Sequence, residues 1–224
     1  MSRYVLDIET APLPETEIPP ALIEKLRDSN EEDWREMLSL YAPSASVIAV
    51  GMLDPDTRKG HMLADPVNGA MGGFTSPEGT TFEVLETDEV GILRRFWELA
   101  TRADSITTYN GRRFDIPVLL QRSLIRGVAA PRDLLGNRFR THPHLDLADI
   151  LSLYGATRPF GLAVWSEAIG MSSPKSGEVA GAEVGPAFRA GRIRAIAEYC
   201  ARDVVATAAL EERVRESWGR WLEI

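Results

Sequence analysis

The chain has 224 residues, 44% of them hydrophobic and 26% charged, which builds one α/β domain of ordinary size and leaves no room for a second large one. Charges interrupt every apolar run too soon for a membrane span, and the single cysteine, Cys200, excludes an internal disulfide or a cysteine-rich zinc site and points to a reducing, cytoplasmic setting. Thirty-three acids against 25 bases leave a net charge of −8, which taken whole argues against a polyanionic partner. The charge is uneven, however. Between residues 15 and 36 acids dominate. Between residues 102 and 144, Arg102, Arg112, Arg113, Arg122, Arg126, Arg132, Arg138 and Arg140 face only Asp104, Asp115 and Asp133, so one half-face is expected to be basic. Asp7 follows the start too closely for a signal peptide.

In chain order, residues 3–8 are apolar and β-branched enough for a buried strand. Residues 21–41 place Leu22, Ile23, Leu26, Trp34, Met37, Leu38 and Leu40 among acids at roughly helical spacing, predicting one or two amphipathic helices in an insertion over residues 10–45. Residues 46–53 and 60–64 read as strands across an Asp-Pro-Asp turn, the Gly/Pro-rich stretch 66–79 as a loop, and 81–85 as another short strand. Residues 88–103 carry Val90, Leu93, Phe96, Trp97 and Ala100 as a helical stripe. Residues 105–109 form a strand that ends in Asn110-Gly111 and feeds a helix over 115–126, with Pro117 harmlessly in its first turn. Residues 166–191 read mostly as loop, and a long helix over 193–222 closes the sequence. A mixed sheet flanked by helices is expected.

Several chemistries find no support. No phosphate loop is present, and Gly72-Gly73 lacks the helix that a dinucleotide turn needs. His61, His142 and His144 stand near no nucleophile elbow, and His142-Pro143-His144 has no cysteine cluster to complete a zinc site. Carboxylates remain. Asp7 and Glu9, two apart on a strand, leave the same face and can converge on one cation, although a D-x-E pair also arises by chance in an acidic chain and such acids also cap strand ends. Asp115 sits where a turn feeds a helix N-terminus, which favours its ionised form; an ordinary N-cap reads equally well. Tyr199 and Asp203 lie one helical turn apart, which fits either a hydroxyl beside a functional carboxylate or a core tyrosine with its tip in water.

Taken in order, Asp7-Ile8-Glu9-Thr10, Asn110-Gly111-Arg112-Arg113-Phe114-Asp115 and Tyr199-Cys200-Ala201-Arg202-Asp203 resemble the three motifs of the DEDD exonuclease superfamily. The tyrosine four residues before the last aspartate is similar to the DEDDy branch; the histidine branch would carry histidine where this chain has Glu198. The middle motif most resembles the exonuclease domain of family B DNA polymerases and its stand-alone bacterial relatives, and His144-Leu145-Asp146-Leu147 resembles a stretch between the second and third motifs of such relatives. The resemblance implies a ribonuclease H-like fold, a five-stranded mixed sheet with helices on both faces, in a single 3′–5′ exonuclease domain. It implies two divalent cations, Mg²⁺ or Mn²⁺, about 3.5–4 Å apart, held by Asp7, Glu9, Asp115 and Asp203, with Tyr199 orienting the attacking water and nucleoside 5′-monophosphates as products. The expected partner is nucleic acid with a free 3′ end, single-stranded DNA before RNA, with no membrane partner. Thr10, Asn110, Phe114, Arg112, Arg113 and Lys175 are candidate substrate contacts, each with a plain alternative as turn former, strand cap, packing residue or solvated cation. A non-catalytic binding domain and a structure-specific endonuclease are the competing readings. The acidic insertion is expected to restrict access by repulsion.

Overall fold

Strand β1 (Arg3–Pro12) lies inside a seven-stranded mixed sheet and sets the geometry of everything around it. The computed structural model describes residues 2–28, 34–66, 71–76, 79–171, 173 and 179–222. Side chains along β1 alternate: Val5 and Ala11 join one apolar cluster, Leu6 and Ile8 another on the opposite face, so Asp7 and Glu9 share the face of Val5 and Ala11. Strand β2 (Ala45–Asp54) pairs antiparallel with β1, and β3 (Lys59–Ala64) antiparallel with β2. On the other side β6 (Ser105–Thr108) and β7 (His144–Asp146) continue in parallel. Strand β5 (Thr81–Glu86) runs parallel to β3 and the two-residue β4 (Phe74–Thr75) closes that edge, giving the order β4-β5-β3-β2-β1-β6-β7.

The five expected strands are therefore seven among the described residues. A three-residue β7 is too short to show an alternation, and β4 falls in the stretch expected to be loop, where stacking of Phe74 on Phe82, centroids 5.2 Å apart, pins it to β5. Helices α2 (Glu89–Arg102) and α3 (Asp115–Arg126) cover the Leu6 and Ile8 face; Asp88 caps α2 by accepting from the Gly91 N–H at 2.9 Å. Short helices α4 (Leu147–Leu151) and α5 (Leu162–Ala168) pack on the far half of the last helix through Leu147, Ile150, Trp165, Leu210 and Val214. Helix α6 (Val184–Arg189) and the long α7 (Ile193–Leu222) cover the face of Asp7 and Glu9. Part of α5 and all of α6 fall in the stretch read as mostly loop; α6 holds Gly185 and Pro186 within six residues, leaving no helical period to read. None of the described helices is long and apolar enough to cross a membrane.

Among its described residues the insertion holds one α-helix, α1 (Pro20–Asp28), and two 3₁₀ turns, Glu15–Glu17 and Glu36–Leu40. Ile18, Leu26, Trp34 and Leu38 bury against one another as a separate small cluster. The Thr10 hydroxyl, donating to the Ser39 carbonyl at 2.7 Å, ties that cluster to β1.

Arg102, Arg113, Arg126, Arg138 and Arg140 of the expected basic half-face are exposed, but several arginines of the segment are committed to partners within the fold. Arg122 is buried and forks onto buried Glu89 with two contacts of 2.7 Å, while its third nitrogen donates to the Ala42 carbonyl at 2.8 Å. Arg126 pairs with the same Glu89 at 3.2 Å, Arg138 with Asp149 at 2.6 Å, and Arg132 donates to the carbonyls of Ala100, Ala103 and Asp104. Arginine in this segment is chiefly a structural fork for carboxylates and carbonyls.

Helix α7 comes close to the sheet at Gly51, which pairs with Asp7 across β1 and β2. A Cβ there would sit 2.9 Å from Val204 Cγ2 and 3.0 Å from Cys200 Sγ. Gly51→Ala is expected to push α7 outward at about 1–3 kcal/mol of stability and, by moving Asp203 away from Asp7, to lower turnover on the order of 10²-fold. Thermal unfolding and turnover on one oligonucleotide check both; full activity in the variant would show that this close approach is dispensable.

Candidate active site

Asp7 and Glu9 enter from the centre of β1, Asp115 from the first turn of α3, and Asp203 from α7 one turn after Tyr199. Glu9 and Asp115 are buried, whereas Asp7 and Asp203 keep partial access. Carboxylate oxygens of Asp7 and Glu9 lie within 4.8 Å of each other and of Cys200 Sγ. The thiol donates to the Asp7 main-chain carbonyl at 3.5 Å, fixing α7 against β1.

The electrostatics tie all four acids together. Burial, then the neighbouring charges of Glu9, Asp115 and Asp203, hold the Asp7 carboxyl well above the usual carboxylate range. Burial and then Asp203 and Asp115 do the same to Glu9. Asp115 is pushed up to about 7, first by burial, and also by Asp146 and Asp203; N–H groups of its own residue and of Ile8 partly offset the rise. Among the described residues no lysine or arginine pairs with Asp7, Glu9 or Asp115, and Asp7 Oδ2 is buried without a hydrogen-bond partner. Buried acids are retained only when something balances them. An all-carboxylate oxygen cluster of this kind fits a hard divalent cation.

Tyr199 completes the group. Its hydroxyl is hydrogen-bonded to the Asp203 carboxylate; burial, followed by the charges of Asp203, Glu9 and Asp7, raises its pKa and keeps the phenol protonated. Both Cys200 and Tyr199 therefore face the acids from the same stretch of α7.

The turn that carries Asp115 is held by its neighbours. Asn110 adopts a left-handed conformation with φ 65°, its N–H donating to Asp146 Oδ1 at 2.8 Å, and the Arg112 N–H donates to Asp146 Oδ2 at 2.9 Å. Asp146 also caps α4 through the Ala148 N–H at 3.0 Å. The Gly111 N–H donates to Thr108 Oγ1 at 3.1 Å. Buried His144 lies with Nε2 2.8 Å from that oxygen and Nδ1 3.0 Å from the Leu134 carbonyl. A carbonyl only accepts, so Nδ1 carries the proton and Nε2 accepts from Thr108.

Burial and the Arg112 charge lower the His144 pKa to about 3 from an ordinary 6.5. The unfolded chain therefore binds the extra proton first between pH 6.5 and 3, and this residue's contribution falls by about 1.4 kcal/mol for each pH unit of acidification in that window. His144→Gln is expected to flatten that limb of a stability-against-pH curve. An unchanged slope would show that the histidine is not held neutral.

The remaining predicted contacts separate. The Asn110 side chain is exposed at the turn and Arg113 beside it is exposed. Phe114 is half-buried and packs against the α2 and α3 cluster. The Thr10 hydroxyl is committed to Ser39. Arg112 is a correction: its guanidinium donates to the carbonyls of Leu135 and His144, the latter at 2.7 Å, so a loop and not a phosphate occupies its donors. Lys175 lies outside the described residues.

Residues 76–220 match the family model described as a predicted 3′–5′ exonuclease related to the exonuclease domain of PolB. The chain belongs to this family. The matched segment contains Asp115, Tyr199 and Asp203, and the fold brings Asp7 and Glu9 to them from outside it. A solved family B DNA polymerase from the hyperthermophilic archaeon Pyrobaculum calidifontis is similar in fold, with a TM-score of 0.58 and 19% identity over 96% of this chain and 24% of that one. The chain thus spans about a quarter of that polymerase, and the mixed sheet with helices on both faces is the ribonuclease H-like arrangement of such an exonuclease domain. Comparison with curated proteins finds no match.

Proposed function

We propose that this family member is a metal-dependent 3′–5′ exonuclease that removes nucleoside 5′-monophosphates from single-stranded DNA ends. The observation that carries the reading is the convergence of Asp7, Glu9, Asp115 and Asp203, mutually repelling, with Glu9 and Asp115 buried, and with no base that pairs with Asp7, Glu9 or Asp115 among the described residues. These four residues would hold two divalent cations, Mg²⁺ or Mn²⁺, which when bound lower the cost of deprotonating water and of charge on the departing 3′ oxygen. Tyr199, kept protonated and donating to Asp203, retains hydroxyl lone pairs that can accept from the attacking water and fix its direction. Its role is therefore orientation and not proton abstraction. The turn at Asn110 and Arg113 presents exposed polar groups beside Asp115, where the terminal nucleotide would be held.

Strict dependence on an end separates this reading from an endonuclease. Linear single-stranded DNA is expected to be degraded in Mn²⁺ while a circle of the same sequence stays intact; nicking of the circle contradicts the proposal. Matched RNA run in parallel is expected to be the slower substrate, and the reverse order would make the chain an exoribonuclease on the same site.

A further inference from the structure

A second feature lies at the end of α7 remote from Asp203. The segment before β7 and the last turn of α7 enclose an open groove of about 580 Å³ whose lining includes Phe139, Arg140, His142, Tyr154 and Trp221. Phe139 and Trp221 are 68% and 63% exposed, although such large apolar rings are ordinarily covered. Phe139 meets Tyr154 at 5.2 Å between centroids and Trp221 meets Trp218 edge-on at 6.0 Å, so the rings are braced and not loose. Tyr154 itself is held with φ 56°, directly after Leu153 at φ 50°, a backbone conformation that side-chain-bearing residues avoid. The charges have the sign opposite to the whole chain: among the described residues no carboxylate lines the groove, and the exposed Arg140 guanidinium has no hydrogen-bond or ion-pair partner, unlike most of the arginines around it.

Exposed aromatic faces beside an uncommitted arginine, on an otherwise acidic protein, are complementary to unpaired bases on a phosphate backbone. We infer that this groove is a remote binding site for single-stranded nucleic acid, in which bases stack on Phe139 and Trp221 and Arg140 meets a phosphate. This rests on the exonuclease reading and extends it. Trp221 follows Asp203 by 18 residues of one helix, about 27 Å at 1.5 Å per residue. The groove would therefore grip a strand well upstream of the end being cut, and its contribution would depend on substrate length.

The test compares wild type with a Phe139→Ala, Trp221→Ala double variant, binding oligo(dT) of about 15 nucleotides and a trinucleotide in Ca²⁺, with mononucleotide release from both then read in Mn²⁺. The expected result is a loss of affinity for the longer strand on the order of tenfold or more, with release from the trinucleotide unchanged and with Trp221 fluorescence quenched only by the longer strand. Both rings are largely exposed, so folding is not at risk; Arg140→Gln, expected to reduce the salt dependence of binding to the longer strand, provides a second reading. Unchanged affinity for the longer strand, with the trinucleotide still degraded, would overturn the groove and leave the exonuclease intact. Unchanged affinity with loss of a wild-type dimer would make the groove a protein interface and also overturn it. No degradation by the wild type, with the length-dependent affinity retained, would instead sink the exonuclease reading and leave the groove standing.

Discussion

Asp7→Asn is expected to abolish exonuclease activity and, in the absence of metal, to make the protein more stable. Burial above all, and then the charges of Glu9, Asp115 and Asp203, disfavour the ionised Asp7 carboxyl, and one of its oxygens has no partner. Neutralising it removes repulsion from all three neighbours. Relief worth one pKa unit is about 1.4 kcal/mol, or a rise of roughly 3–6 °C in Tm for a chain of this size. Turnover should fall by at least about 10³-fold, because in the proposed mechanism the same charge would hold cations. Activity and stability thus move in opposite directions, the signature of a site kept under electrostatic strain for function. A destabilised Asp7→Asn protein would mean that the carboxylate has a structural partner instead.

The same strain has a pH dependence of known sign. The folded protein retains the Asp115 proton up to about pH 7, whereas the unfolded carboxyl releases it near 3.8. Between those values the folded state binds more protons, so metal-free stability attributable to this group falls as pH rises. His144 acts in the opposite direction between about 3 and 6.5. Added Mn²⁺ should cancel the acid contribution and leave the histidine's, so the metal-induced rise in Tm is expected to be larger at pH 8 than at pH 5. Equal shifts at the two pH values would show that the cations bind away from the acids.

The largest expected loss of stability lies elsewhere, at Arg122. Its guanidinium satisfies both Glu89 oxygens, and Glu89 in turn accepts the Val47 N–H at 2.9 Å, so one ion pair joins α2, α3 and the start of β2. Arg122→Met leaves Glu89 buried with only the half-exposed Arg126 beside it and is expected to cost about 3–5 kcal/mol. The double variant Arg122→Met, Glu89→Gln should recover much of that loss, because it removes the stranded charge as well. Denaturant unfolding of the set measures it. A cost below about 1 kcal/mol for the single change would mean that water reaches the carboxylate.

The motif residues and the long elements were legible in the sequence for physical reasons. Helix α3 and helix α7 have the predicted bounds because Asn110-Gly111 punctuates the first and thirty residues of helical period define the second. Asp7 and Glu9 could be placed on one face because a strand alternates. What was not legible was the fate of charge and the short elements. Composition counts Arg112 and Arg122 as free cations, yet each is an internal fork whose partners lie at least 23 residues away along the chain. Asp146 could be noticed within its motif, but that it clamps the turn before Asp115 depends on the parallel pairing of β6 and β7. Cys200 beside the acids and the close approach at Gly51 likewise follow from where α7 docks. Such contacts are made by tertiary neighbours and leave no local period to read.

In the proposed function, four carboxylates from β1, α3 and α7 form one metal-dependent 3′–5′ exonuclease centre. Its most direct test is product analysis of a single-stranded oligonucleotide incubated with the wild type and with Asp203→Asn, in Mn²⁺ and in EDTA. The expected products are 5′-mononucleotides, released stepwise from the 3′ end by the wild type in Mn²⁺ alone. Release in EDTA, release by Asp203→Asn at the wild-type rate, or products that begin at the 5′ end would contradict it.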